Sequence, residues 1–384
     1  MINLTTFNFL EESEKYIFTG QVTENKLTKF QVFDKNIKSK VGNIYRARIL
    51  NKVNGLDGFF VDIGEGKHGL LQVDEKRFSS LKETDEILVQ VTYDGNEKKG
   101  PKLTEKYELK GKYFILTPFE TGVSISKKIK DREKALKIKN YFTRNYKNTT
   151  FIIRTAAEER SIEDLELEFK KLFVIKEKLE KEKNFSPTPK LLYKNDYVLD
   201  SIDSDKKFIF ITNSLIYSNK YQDKFFDVET IYDREFSIQK NTDIFMQIKN
   251  LFKKRIVLDN GIELVFEKTE AFNVIDINSK GFFNPGKNLP KDANKNCAIE
   301  IINQIHLRNI CGIILIDFIS YSNKKNEDEL LNYFYVESRK YNNPINVIGF
   351  TRLGILELTR NKAVNHLSIE NLDLSIFQNY IWGV

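Results

Sequence analysis

An α+β chain of several compact units is the fold class this sequence predicts, and three observations carry the prediction. Between residues 39 and 106, brief alternating apolar runs are punctuated by glycines, the pattern of a small β-barrel. From about residue 255 onward, apolar strand-like runs alternate with segments of helical period, the pattern of a mixed βαβ layer. With 384 residues and 41% hydrophobic composition, the chain can fill two or three cores.

The bulk properties exclude several classes. No apolar run reaches the roughly 18 residues of a membrane span. The opening MINLTTFNFLEESEKY has no basic segment ahead of an apolar stretch, so neither a signal peptide nor a transit peptide is expected. Cys297 and Cys311 lie in apolar-periodic stretches and predict two buried thiols in a reducing compartment. No CxxC occurs, so no structural zinc is expected. The formal charge of +7 is a modest basic bias, compatible with a polyanionic partner. Heavy use of Lys, Asn, Ile, Phe and Tyr marks an AT-rich genome, such as that of a plastid or a reduced bacterium.

Taken in order, residues 1–38 read as a short β-rich opening. In 39–106, Ile44, Ala47, Ile49, Val53, Phe60, Val61, Ile63 and Leu70 fall in short strands separated by glycine turns, which suggests an OB-type barrel. Residues 107–187 change character. GKYFILTPF and FIIRTAA are strands, SKKIKDREKALKIKNYF is a solvated helix, and SIEDLELEFKKLFVIKEKLEKEKN is a long helix capped near Ser161. FSPTPK at 185–190 is the best linker candidate, and 191–254 is mixed. RIVLDNGIELVFE carries Asn260-Gly261 between apolar runs, a hairpin signal. EAFNVIDIN is a strand. Ala298, Ile301, Ile302 and Ile305 mark a helix face, NICGIILIDF is a strand, EDELLNYFYVESRKY a helix and NPINVIGF a strand.

Two of these strands finish in acids. Asp276 and Asn278 sit two apart, so they project from one face. Asp317 ends the second run and reaches the same place if the strands are neighbours. Two carboxylates and an amide are hard oxygen donors that suit a hydrated Mg²⁺. A single strand-end aspartate more often caps a helix or pairs with lysine; for two such acids, each after an all-apolar run, the metal and structural readings are evenly matched. Among His68, His306 and His366 nothing suggests an acid–base pair, which disfavours cyclic-phosphate chemistry. No nucleophile elbow is present. GEGKHG matches G-x-G-x-x-G but opens no helix, so a dinucleotide site is not expected. On the barrel, Phe60 and His68 are base-stacking candidates and Lys98, Lys99 and Lys102 are phosphate candidates, with Phe60 equally readable as core. Arg154, followed by Thr155, could grip a terminal phosphate; the alternative is a surface arginine after a strand.

These motifs together resemble the ribonuclease E/G family. GNIYRARI…GFFVDIGEGKHGLL is similar to its S1 motif, followed in family order by GKYFILTPF, GVSISKKI and FIIRTAAE, then EAFNVIDIN, NQIHLRNICGIILIDFI and FTRLGILELTRNK. The resemblance spans roughly residues 40 to 362. It implies a Mg²⁺-dependent, single-strand-specific endoribonuclease of RNA processing and decay. Such an enzyme leaves 5′-phosphate and 3′-hydroxyl ends and favours 5′-monophosphorylated, AU-rich RNA. The competing expectation is a non-catalytic RNA-binding protein that keeps the barrel. Magnesium ligands fall on Asp276 and Asp317, with Asn278 in support and Arg352 near the RNA. The 5′-phosphate sensor falls on Arg154 and Thr155, with backbone help near Gly111 and Ile115. RNA-gripping positions fall on Phe60 and Lys99, while Leu70 stands where a second aromatic is expected.

The implied architecture is an RNase H-like unit split into 1–38 and 188–250. An S1 barrel (39–106) and a 5′-sensor subdomain (107–187) interrupt it. A DNase I-like catalytic unit (251–362) and a C-terminal tail (363–384) follow. The tail has no cysteine, so no zinc is expected, and a homo-oligomer would lack the family's zinc link and small domain. The expected location is the plastid stroma, or alternatively a bacterial cytoplasm.

Overall fold

The computed structural model describes residues 5–53, 55–95, 98–119, 121–185, 187–202, 208–225, 228–279, 289–319, 324–339, 341, 345–361 and 366–380. The chain is a mixed α+β protein that divides into two compact units. One comprises residues 1–37, 209–218 and 229–384, and the other 38–208 and 219–228.

The first unit holds two sheets. The five-stranded one runs Thr230–Tyr232, Ile209–Thr212, Phe7–Glu12, Tyr16–Thr23, Lys26–Asp34. Its last three strands are an antiparallel meander, and the other two add in parallel. Phe7, Phe9, Phe18 and Phe30 build its core against the helix Thr242–Leu251, which contributes Ile244, Ile248 and Leu251 at helical spacing. Beyond 362, in the expected C-terminal tail, several described residues contribute to this core. Ile369, Ile376 and Phe377 are buried, Phe377 lies 4.9 Å from Phe18 ring to ring, and Leu367 N–H donates to Val32 O at 2.7 Å.

The six-stranded sheet runs Arg255–Val257, Glu263–Lys268, Phe272–Asn278, Gly312–Asp317, Ile355–Arg360, Asn346–Phe350. Only the Phe272–Asn278 and Gly312–Asp317 strands are parallel to each other. A parallel pair needs a crossover, which the helix Leu289–Leu307 lies within. Ala298, Ile301, Ile302 and Ile305 bury its face as their spacing predicts, and the helix Lys324–Ser338 adds Leu330 and Phe334. The Asn260-Gly261 turn closes the first hairpin, with Gly261 at φ 83°. Cys297 is buried here, and burial pushes its thiol up to about 12. Cys311 corrects the expectation of two buried thiols: it is half-exposed, and its Sγ lies 3.3 Å from the buried Arg360 guanidinium.

The second unit holds a closed five-strand barrel and a smaller sheet. Barrel strands Ile44–Val53, Gly58–Asp62, Gly69–Gln72, Lys102–Thr104 and Glu86–Tyr93 pair in that order, and the last returns to the first. GEGKHG forms a turn, with Gly64 and Gly66 at positive φ, that leads into a strand and not a helix. The small sheet Val123–Ile125, Phe151–Ile153, Phe114–Leu116, Leu109–Lys110 packs on the helices Arg132–Asn145 and Ile162–Glu182, the latter capped by Ser161 as its sequence predicts. After the 185–190 segment, Lys190–Tyr193 pairs with the Ile44–Val53 strand. Lys190–Tyr193 therefore lies in this unit.

Candidate functional site

Alternation along Phe272–Asn278 sends Asn273, Ile275 and Ile277 into the core, leaving Asp276 exposed and Asn278 half-exposed on the other face. Along Gly312–Asp317, Ile314 and Ile316 are buried and Asp317 is exposed. Asp276 and Asp317 are register partners on these parallel strands. Paired positions share a face, and neighbouring strands lie about 4.8 Å apart. Two like charges are thus held side by side. Among the described residues, neither carboxylate has a hydrogen bond or ion pair to a protein group.

Asn278 Nδ2 approaches Glu263 Oε2 at 3.5 Å, and that carboxylate is held by Arg255 Nη1 at 3.0 Å. Sequence reading missed Glu263 and Arg255. The Asn260-Gly261 hairpin, which sets Glu263 opposite Asn278, was the signal that could have found them. Arg352 is exposed in the turn between the last two strands. Thr351 Oγ1 accepts from Leu353 N–H and Ile355 N–H to shape that turn, and Ile355 pairs with Asp317. Arg352 therefore sits at the carboxylates' end of the sheet.

The donors fit magnesium. Both are hard carboxylate oxygens, the donor type that Mg²⁺ takes. An ion held by two carboxylates keeps most of its waters, as Mg²⁺ prefers, whereas structural zinc requires four N or S ligands.

The NQIHLRNI block that precedes the Asp317 strand is structural. Asn309, at φ 53°, ends the helix Leu289–Leu307 as a left-handed cap. Asn309 N–H bonds His306 O and Ile310 N–H bonds Ile305 O, the pairing of a Schellman motif. Arg308 lies over Phe266 and donates to Lys253 O and Asn250 O at the end of another helix. His306 stacks on Tyr341 at 3.8 Å, and burial, aided by Arg360, pushes it down to about 3. It is a neutral packing group.

In the second unit the sensor candidates converge. Arg154 is half-buried, and its Nη1 donates to Gly111 O at 2.7 Å. Ile115 pairs with Ile152, two residues before Arg154, and Thr155 Oγ1 lies 3.1 Å from Ser126 Oγ. Glu168, missed in sequence, organises the loop. Its buried carboxylate accepts from Lys112, Tyr113 and Phe114 N–H at 2.8–3.1 Å, while burial raises it above the ordinary glutamate range. A Cβ on Gly111 would meet Glu168 Oε1 at 2.3 Å, which accounts for the glycine.

On the barrel, Phe59 takes the core position and Phe60 is 42% exposed. Phe60 pairs with Leu70, Leu70 with Lys102, and Lys102 with Tyr93, itself exposed. His68 and Lys99 are both exposed, and the close approach of Gly100 to His68 O leaves no room for a Cβ. Tyr93 was missed because the turn between its strand and the next hides the pairing.

A model of the "Ribonuclease E/G family" matches residues 108–363. Ribonuclease E of Nostoc is 29% identical over 84% of this chain and 51% of its own length. Ribonuclease G of Haemophilus influenzae is 29% identical over 84% of this chain and 72% of its own. A ribonuclease E/G-like protein of Porphyra purpurea is 26% identical over 94% of this chain and 75% of its own. The chain thus spans about half the length of the Nostoc relative.

Proposed function

The chain belongs to the ribonuclease E/G family, and on that premise we propose that it is an endoribonuclease of RNA processing and decay. The observation that carries this reading is the register pairing of Asp276 with Asp317, two exposed carboxylates with no described protein partner. They would hold magnesium, with Asn278 fixing the adjoining edge through Glu263 and Arg255. When bound, the ion supplies an activated water and neutralises charge on the scissile phosphodiester. The chain's own groups hold the RNA: Arg352 presents its guanidinium at that end of the sheet, and the turn that bears it is pinned by Thr351.

Products with 5′-phosphate and 3′-hydroxyl ends follow from water attack with departure of the 3′ oxygen. Arg154, Thr155, Gly111 and Ile115 would read a 5′-monophosphate, and Phe60, His68 and Lys99 would grip single-stranded, AU-rich RNA. The meander with two added parallel strands supports an RNase H-like unit interrupted by the barrel and sensor. The six-stranded sheet would then be the DNase I-like catalytic part.

The test is Mg²⁺-dependent cutting of a 5′-monophosphorylated AU-rich oligonucleotide, with end analysis of the fragments. RNA binding without cutting would leave only a binding protein, and cutting equal with 5′-hydroxyl RNA would remove the sensor role. Mass measurement in solution tests for a homo-oligomer. Fractionation of the source cells, with the protein found outside plastids, would overturn a plastid location.

A further inference from the structure

The chain's charge is unevenly placed. Residues 127–147 hold nine lysines and arginines against two acids, an excess equal to the +7 of the whole chain. The remaining sequence is formally neutral. Lysine-rich composition alone does not produce this. The neighbouring helix Ile162–Glu182 carries five lysines in the same length of chain, yet seven acids outnumber them, as in the Lys170–Glu166 pair.

None of the nine basic side chains is buried. They follow a defined path. Ser126, which touches Thr155, starts the run, and Lys127 and Lys128 come next. Glu158 Oε1 accepts from Lys130 and Asp131 N–H, which ties the approach to the segment just after Arg154 and Thr155. The helix Arg132–Asn145 then carries the charge away over roughly 21 Å. Its apolar side chains Ala135, Ile138 and Phe142 are committed to the core, and the lone exposed Leu136 does not make an apolar face to insert into a lipid surface. What it presents is cationic and elongated.

We propose that residues 127–147 form a phosphate-tracking surface that holds single-stranded RNA immediately downstream of a 5′ end seated at Arg154 and Thr155. This rests on the sensor role proposed above. Flexible lysines suit a sequence-independent backbone contact, since each supplies a charge without demanding one geometry.

The test uses the 384-residue chain and two quadruple variants. One is Arg132→Gln, Lys139→Gln, Arg144→Gln and Lys147→Gln, on the basic helix and just past its end. The other, a control of equal charge loss, is Lys170→Gln, Lys176→Gln, Lys178→Gln and Lys181→Gln on the long helix. Binding of a 5′-monophosphorylated single-stranded RNA is measured across potassium chloride concentrations, after melting curves confirm that each variant folds. The basic-helix variant should flatten the slope of log affinity against log salt by about 2 to 3, at roughly 0.7 per lost phosphate contact. The control should leave it unchanged. Equal flattening in both variants, or none in the first, overturns the proposal while wild-type RNA binding and cutting stand. Charge-dependent binding to phosphatidylserine vesicles, with an unaltered RNA slope, also overturns it. Absence of any wild-type RNA affinity would instead remove the function on which it rests.

Discussion

Both sheets of the first unit end a strand in acids, and they use them in opposite ways. At the end of Phe7–Glu12 every carboxylate is engaged. Glu11 accepts from Ser237 Oγ at 3.0 Å and Ile238 N–H at 2.7 Å, and Glu12 accepts from Ser214 Oγ and pairs with Lys35. At the ends of Phe272–Asn278 and Gly312–Asp317, the side-by-side Asp276 and Asp317 have no described protein partner. The first arrangement stabilises a fold. The second leaves two neighbouring carboxylates open to an external cation. Partnering, more than the presence of acids, separates a structural strand end from a candidate site.

The sharpest way to break that contrast is to neutralise each pair. Asp276→Asn or Asp317→Asn should lower cleavage by about a thousandfold, from several kcal/mol of lost charge stabilisation. Melting temperature and RNA affinity should hold, and a large loss of either would place these acids with the structural ones. Glu11→Ala should do the reverse. It leaves a buried N–H unpaired and should cost up to about 3 kcal/mol in urea unfolding, with cleavage per folded molecule kept.

His306 asks the same question of a titrating group near the Asp317 strand. Its folded value of about 3 lies below the ordinary 6.5 because burial disfavours the cation. The stability it contributes is therefore complete above pH 6.5 and drains as pH falls toward 3, by up to about 1.4 kcal/mol per unit. His306→Gln should flatten that acid slope and keep cleavage, whereas abolished cleavage in a folded variant would make it a reacting group. The smallest effect belongs to Arg352→Ala, where one exposed cation contact should raise KM about two- to fivefold.

Much of the fold was legible where one physical period dominates. Alternation with glycine turns marked the barrel, and Ala298, Ile301, Ile302 and Ile305 marked a helix face. That Asp276 and Asp317 fall at strand ends was legible because each ends an apolar run; that the two strands are neighbours was not. Groups whose meaning depends on distant partners were not. Glu168 reads as one more acid of a charged helix until the loop 56 residues earlier closes on it. Glu263, Arg255 and Tyr93 need strand register. Lys190–Tyr193 is too short to declare its barrel partner. The last described segment has short 3₁₀ turns, which show neither a helix nor a strand period.

That segment bears on genetics. Ile376 and Phe377 sit among Phe18, Phe245 and Phe252, so a nonsense codon just upstream removes two buried side chains, each contributing roughly 1.5–3 kcal/mol. Such an allele would spare every codon of the carboxylate pair and still behave as a null, through insoluble product.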